Sequence, residues 1–188
     1  AGKAVAEADQ LLATFNALLR IARLETRGNT ADMQQVPLGE LVSDACELYE
    51  ALAEDKEQQF QQSLDDHVVI EGDRDLLFQM VSNLIDNAIK YTPEEGQIRV
   101  NVRKESGDAI FEVGDSGIGI PDDEKDQVFQ RFYRVGKSRS LPGNGLGLSL
   151  VSAVAEIHQG VISLSDHHPG EDYPGLMVTI RLPAYSPN

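Results

Sequence analysis

An α+β fold, with about three helices layered on a mixed and mainly antiparallel sheet, is what this sequence of 188 residues predicts. The stretch DRDLLFQMVSNLIDNAIKYT over 73–92 sets Leu76, Met80, Leu84 and Ala88, with Leu77, Val81, Ile85 and Ile89, on one broad apolar arc. At about 3.6 residues per turn that arc is a buried helix face. Later stretches alternate with the period of a strand and meet through short turns, as where QIRVNVRKE passes Gly107 and Asp108 into AIFEVGDSG. The tally of about three helices against four to six strands, with hairpins among the late ones, favours a two-layer α/β sandwich over a doubly wound parallel sheet.

In chain order, an apolar seam at Ala4, Ala8, Leu11, Phe15, Leu18 and Ala22, widened by Val5, Leu12 and Leu19, predicts a long helix over 2–27. Its near-heptad steps suit a bundle or coiled coil. Arg27, Gly28, Asn29 and Thr30 end it. Three units are therefore expected: a helical appendage over 1–30, a linker over 31–37, and one globular domain over 38–188. After Pro37, the residues Leu38, Leu41, Val42, Ala45, Leu48 and Leu52 form the inner face of an amphipathic helix with an acidic outer face. QFQQSL and HVVIEG are short strand candidates around a turn at Asp65 and Asp66. Asp73 is placed to cap the central helix, and Pro93 with Gly96 to end it. Beyond the hairpin, 115–144 is polar and glycine-containing, with one short helix expected in DDEKDQVFQRFYR. A helix over 146–158 and two strands, in GVISLSDHH and GLMVTIRLP, complete the domain.

A net charge of −15 and a pI near 4.5 oppose nucleic-acid binding, because a polyanion would be repelled. A phosphate ligand must then arrive with a metal or meet dedicated donors. Cys46 is the single cysteine, so no intrachain disulfide forms, and a reducing, cytoplasmic setting is expected. Its place in an apolar helical run predicts a packed thiol. No apolar run approaches the ~20 residues that span a bilayer. The start AGKAVAEADQ lacks an initiator Met, so a soluble piece of a longer protein is expected.

Candidate chemistry gathers in three places. Asn83, Asn87 and Lys90 fall on successive turns at one edge of the central helix. Two amide oxygens there suit a hard cation such as Mg²⁺, and the lysine can neutralise phosphate, although the same pattern can simply solvate a helix edge. Asp115, Gly117 and Gly119 begin where a strand ends; the glycines let backbone approach a flat ligand while the carboxylate accepts from an amino group, or they form an ordinary turn. Gly143, Gly145 and Gly147 open a helix, where backbone amides and the helix dipole favour phosphate, or serve as a lid hinge. No βαβ unit surrounds them, and the Gly-Lys-Ser/Thr of a P-loop is missing.

Taken together, 83–92, 115–119, Phe129 to Phe132, and 143–148 stand in the order and spacing of the N, G1, F and G2 boxes of sensor histidine kinases. From about Pro37 to Pro183 the chain resembles the catalytic ATP-binding domain of that family, a Bergerat-type fold shared with DNA gyrase and a large heat-shock chaperone. The resemblance implies ATP and Mg²⁺ as cofactors, with Asn87 as metal ligand and Asn83 assisting. It implies Lys90 on phosphate, Tyr91 against adenine, Asp115 accepting the adenine amino group, and Gly117 and Gly119 admitting the purine. Gly143, Gly145, Leu146 and Gly147 would carry the hinge and triphosphate end of a mobile lid, Arg131 and Arg134 would be phosphate partners, and Phe129 and Phe132 would anchor the lid. Pro142 stands where a further glycine is often found.

The same resemblance bears on the reaction. Gyrase-like and chaperone-like members place a water-activating Glu four residues before the metal-binding Asn; here that residue is Asn83, which cannot act as a general base. ATP should then be held for transfer to another acceptor. The acceptor histidine of the family is followed by an acidic residue, whereas His67, His158, His167 and His168 precede Val68, Gln159, His168 and Pro169. The expected function is γ-phosphoryl transfer to a histidine outside this chain and on to an aspartate of a response-regulator receiver domain. The expected partners are the protein's own dimerisation helices in a homodimeric, membrane-anchored bacterial sensor, with 1–30 as the end of the second helix. The alternative is a non-catalytic module that docks a regulator. For His158, near a helix end, interaction with the dipole is the ordinary expectation.

Overall fold

The computed structural model describes residues 32–135 and 145–186, with Leu12, Phe15, Asn16, Leu18, Leu19 and Ala22 before them. Apart from those six residues, the long helix expected over 2–27 lies outside the described residues. Leu18 rests against the core, while Leu12, Phe15 and Leu19 are exposed.

Three helices and seven strands make up the described domain. In order they are β1 (Met33–Pro37), α1 (Leu38–Glu54), β2 (Gln59–Leu64), β3 (Val69–Asp73), α2 (Arg74–Tyr91), β4 (Gln97–Glu105), β5 (Asp108–Asp115), α3 (Gly147–Ile157), β6 (Val161–Ser165) and β7 (Met177–Pro183). Five strands form one sheet in the order β2-β4-β5-β7-β6, antiparallel except for the parallel pair β2 and β4. β4 runs Ile98, Val100 and Val102 into the core and presents Arg99, Asn101 and Arg103 on the other side. On that polar face Glu112 accepts from Arg103, from Asn101 at 3.2 Å and from Thr179 at 3.4 Å. The β4–β5 hairpin closes through Ser106 and Gly107, both at positive φ, the two-residue turn whose twist matches paired strands.

α2 lies between α1 and α3 and over β5. Every member of its expected apolar arc is buried, and so are Ser82, Asn83 and Asp86, because neighbours stand on both flanks. Asp73 caps it as expected, its Oδ1 accepting from Leu76 N–H at 3.1 Å. At the other end, Lys56 Nζ donates to the Ile89 carbonyl at 2.7 Å, and Gln58 Nε2 donates to the carbonyls of Ile89 and Thr92 at 3.1 and 2.8 Å. These bonds meet backbone carbonyls that the end of the helix would otherwise leave without a partner. Cys46 is buried in α1, where burial first and the Glu50 charge second push its thiol up to about 12. No helix among the described residues is long and apolar enough to cross a membrane.

Four local expectations change. The 31–37 linker contains β1, which pairs antiparallel with β3 from Met33↔Asp73 to Pro37↔Val69. Only Val36 of this strand is buried, so no alternation announced it. β2 and β3, on either side of the turn at Asp65 and Asp66, enter different sheets. The helix expected in DDEKDQVFQRFYR is only a 3-10 turn at Gln127–Phe129. Lys125 is drawn to Asp122 and to Asp166, at 2.8 Å from the latter, Tyr133 Oη donates back to Glu124 at 2.6 Å, and Phe132 takes a positive φ, so a regular helix cannot run on. His158 is not a charged partner of the helix dipole: it is buried, its Nε2 accepts from Asp73 N–H at 3.0 Å, and burial holds its pKa below the ordinary value.

Two outcomes follow from this packing. Asp73→Ala, which strips the cap of the central helix, should lower the unfolding free energy in urea by about 1–2 kcal/mol. Cys46 should stay unreactive toward a disulfide reagent in the native protein and titrate fully once denaturant unfolds it.

Candidate functional site

The candidate residues converge on α2, which is approached by bare backbone at two points. Near its C-terminal end is Gly117, where a Cβ would lie 2.4 Å from the Tyr91 carbonyl oxygen. On its flank is Gly147, the first residue of α3, where a Cβ would lie 3.2 Å from Asn83 Oδ1 and 3.5 and 3.7 Å from the amide atoms of Asn87. Segments distant in sequence thus meet around one helix.

Asp115, the last residue of β5, is 6% exposed. Its Oδ1 accepts from Gly117 N–H at 2.8 Å and from Leu176 N–H at 3.3 Å. Both bonds use one oxygen, so the second, Oδ2, keeps its capacity to accept from a ligand's donor. Burial raises the carboxyl to about 6, against the two amides and the nearby His168 that favour the ionised form. The loop ahead of β7 completes this end. Gly175 N–H donates to the Gly117 carbonyl at 3.0 Å, and a Cβ on Gly175 would come within 2.0 Å of the Asp115 carbonyl oxygen. Gly119, at positive φ, packs on Pro174 and Gly175. His167 Nδ1 lies 2.9 Å from the Asp115 carbonyl, so the ring donates there.

At the other end Asn83 is buried and Asn87 half-buried. Asn83 Nδ2 donates to the Gln79 carbonyl at 2.8 Å, which turns Oδ1 toward Gly147. Asn83 Oδ1 and the Asn87 side-chain amide, its nitrogen slightly nearer than its oxygen, thereby border the space that a side chain at 147 would fill. Neutral oxygen donors in such a cradle fit a hard divalent cation that brings phosphate oxygens with it. Lys90, half-buried, pairs with Asp86 at 2.6 Å, one turn back on the helix. Tyr91 is half-buried.

Phe132 N–H donates to the Gly145 carbonyl at 2.9 Å, and a Cβ on Gly145, itself at positive φ, would overlap the backbone of Phe132 and Tyr133. The aromatic pair does not anchor this segment as expected. Phe132 is 72% exposed and Phe129 half-buried, while Val128, Val135 and Leu146 are the buried apolar groups. Phe132 points outward because its positive φ turns the chain to reach Gly145. Arg131 is exposed and Arg134 half-buried. Gly143 and Pro142 lie outside the described residues. Gly175, Leu176 and His167 were missed in the sequence, where only the Pro174-Gly175 dipeptide marked a turn.

A profile of the family described as histidine kinase-, DNA gyrase B-, and HSP90-like ATPase matches residues 72–186. The sensor-like histidine kinase SenX3 of Mycolicibacterium smegmatis is 34% identical over 187 residues, 98% of this chain and 48% of that protein. The sensor histidine kinase RppB of Synechocystis is 35% identical over 172 residues, 90% of this chain and 37% of that one. The chain spans about half or less of these relatives. Among solved structures, the mycobacterial sensor histidine kinase MprB superposes with a TM-score of 0.72 at 30% identity, covering 82% of this chain and 99% of that one. Full-length ShkA in complex with AMPPNP superposes at 0.76 and 26% identity, covering 95% of this chain and 37% of that one. Fold, converging segments and relatives agree: the chain belongs to the histidine kinase-, DNA gyrase B- and HSP90-like ATPases, and within them it is an ATP-binding catalytic domain of the sensor histidine kinase type.

Proposed function

We propose that the chain binds ATP with Mg²⁺ and presents the γ-phosphoryl group to a histidine on a dimerisation helix of the same protein, from which it passes to a response-regulator aspartate. The observation that carries this reading is the placing of Asp115 and the Asn83–Asn87–Gly147 cluster against one helix, a base-recognising end and a phosphate end. Asp115 in its ionised form accepts the adenine amino group through Oδ2. Gly117 and Gly119 leave the purine room, and Tyr91 flanks it. Asn87, with Asn83, would hold the metal ion, which supplies neutralisation of the phosphate charge. Lys90 adds a positive charge toward the phosphates from its pairing with Asp86, and Gly143, Gly145, Leu146 and Gly147 offer backbone amides. Arg131 and Arg134 are phosphate partners carried on the segment before the lid.

Transfer breaks the bond between the γ-phosphorus and the ADP oxygen as a bond to an imidazole nitrogen forms. Positioning and charge neutralisation drive such a step. Asn83 cannot take a proton from water, so hydrolysis gains no general base. Residues 1–30 are then the end of a dimerisation helix, 31–37 its connection, and the parent a homodimeric sensor with this domain in the cytoplasm.

Calorimetry with Mg²⁺ and AMPPNP should give a saturable isotherm. Asp115→Asn, which faces the adenine amino group with another donor, should weaken it by about 100-fold, and Asn87→Ala should weaken it while reducing its dependence on Mg²⁺. No isotherm with the wild-type chain would overturn the reading.

Affinity, corrected for the titration of the probe's own phosphates, should be level above pH 7 and fall as pH drops through about 6, where Asp115 takes up a proton. Without nucleotide the sign reverses. A carboxyl whose folded pKa is raised contributes stability that is whole below its unfolded value and lost as pH rises through the folded one. Asp115→Asn should therefore stabilise the free protein at pH 8, by on the order of 2–3 kcal/mol in urea unfolding, while weakening its affinity for nucleotide.

A further inference from the structure

α2 and α3 are joined at the ends remote from the phosphate site as well as beside it. His158 is the C-cap of α3, and its buried ring spans two elements: Nδ1 lies 2.7 Å from the Val154 carbonyl and Nε2 accepts from Asp73 N–H at 3.0 Å. An amide can only donate, so Nε2 must be bare and the ring proton must sit on Nδ1. Asp73 is in turn the N-cap of α2 through Oδ1, and its Oδ2 accepts from Asp32 N–H at 3.4 Å, at the edge of β1. Gly72 makes room for the ring: a Cβ there would lie 2.7 Å from His158 Cδ2 and 2.9 Å from Nε2. One imidazole thus ties the last turn of α3 to the residue that starts α2. Gly147 is ~16 Å away along α3, at 1.5 Å per residue.

Leu150, Val151, Val154 and Ala155 bury the inner face of α3. Apolar contact sets the distance between two helices, but it is non-directional and resists a small slide of one along the other less sharply than a hydrogen bond does. A directional hydrogen bond at the end of α3 adds that resistance. We propose that His158 is a positioning residue for the phosphate end of the site: its neutral, Nδ1-protonated ring fixes where α3 sits along α2 and so holds Gly147 against Asn83 and Asn87. The proposal rests on the nucleotide-binding reading of that site.

Protonation would undo the tie, since Nε2–H would then face Asp73 N–H, donor against donor. Burial works against the charged ring, with the Val154 carbonyl and the Asp73 carboxylate working for it. Asp73 is the charged group that faces the ring. The charged neighbours on the packed elements, Glu71, Arg74, Asp75 and Glu156, are exposed. Burial holds the folded pKa below the ordinary imidazole value of 6.5, so the tie is whole above that pH and lost as pH falls through the folded value.

The test compares two probes that share a base, AMPPNP with Mg²⁺ and AMP, by calorimetry on the whole chain. His158→Leu at pH 8 should lower AMPPNP affinity about fivefold or more and leave AMP affinity unchanged, and His158→Gln, whose amide oxygen can accept from Asp73 N–H, should restore most of the loss. Between pH 8 and the pH at which the His158 ring protonates, followed by its imidazole NMR shifts, the ratio of AMPPNP to AMP affinity should fall further in the wild type than in His158→Gln. Phosphate ionisation and Asp115 are common to both proteins, so that difference isolates the imidazole. Equal ratios in the three proteins, or the same pH dependence in wild type and His158→Gln, would overturn the proposal even if His158→Leu proved too unstable to use. A wild-type chain that binds neither probe would sink the nucleotide reading, and this proposal with it.

Discussion

Bare backbone must reach the central helix from two sides for the rest of the domain to work. α2 is the middle of the core, with α1 and α3 on its flanks and the sheet beneath, yet it also carries Asn83, Asn87, Lys90 and Tyr91. A side chain at Gly117 would strike the Tyr91 carbonyl, and one at Gly147 would fill the space that the two asparagine amides border. Core packing and site construction are therefore one requirement. The helix supplies the scale as well: Asn83 and Tyr91 stand eight residues apart, ~12 Å along the axis, so one rigid rod separates the proposed phosphate end from the proposed base end.

Electrostatics at the base end follows from that packing. Asp115 is held between its own loop and the loop before β7, where two amides share one carboxylate oxygen and leave the other to accept elsewhere. Burial outweighs those amides, so the free domain keeps a carboxyl that resists ionisation. A donor from outside offsets a cost the folded chain carries alone. The phosphate end differs, because Lys90 already has Asp86 beside it and the asparagines are neutral. In a chain of net charge −15, the proposed phosphate end therefore offers neutral amides rather than a basic patch.

Legibility in the sequence tracked the range of the interaction concerned. The apolar arc of α2, the Asp73 cap and the β4–β5 hairpin depend on residues a few positions apart, and each stands where its local pattern put it. β1 did not announce itself, because MQQVP buries one side chain and takes its hydrogen bonds from a strand more than thirty residues on. Phe132 misled for the opposite reason. The family resemblance implied an anchor there, whereas its backbone is committed to Gly145 and its ring is left in solvent. His158 looked like a helix-end charge and is a neutral link between two helices.

What the sequence determined by itself was the set of pieces: the α+β class, the helix that bears the asparagines, the acid followed by glycines, and the glycine-led final helix. Periodicity, capping and turn chemistry are short-range, and they leave their mark in consecutive residues. Tertiary structure decided which pieces touch. It set Gly175 on the Asp115 carbonyl, Leu176 N–H on its carboxylate, His158 on Asp73 and Gly147 on Asn83, none of them neighbours in the chain. Such contacts arise only when helices and sheet close on a shared core, and the hydrophobic burial that closes them carries no address in the local order of residues.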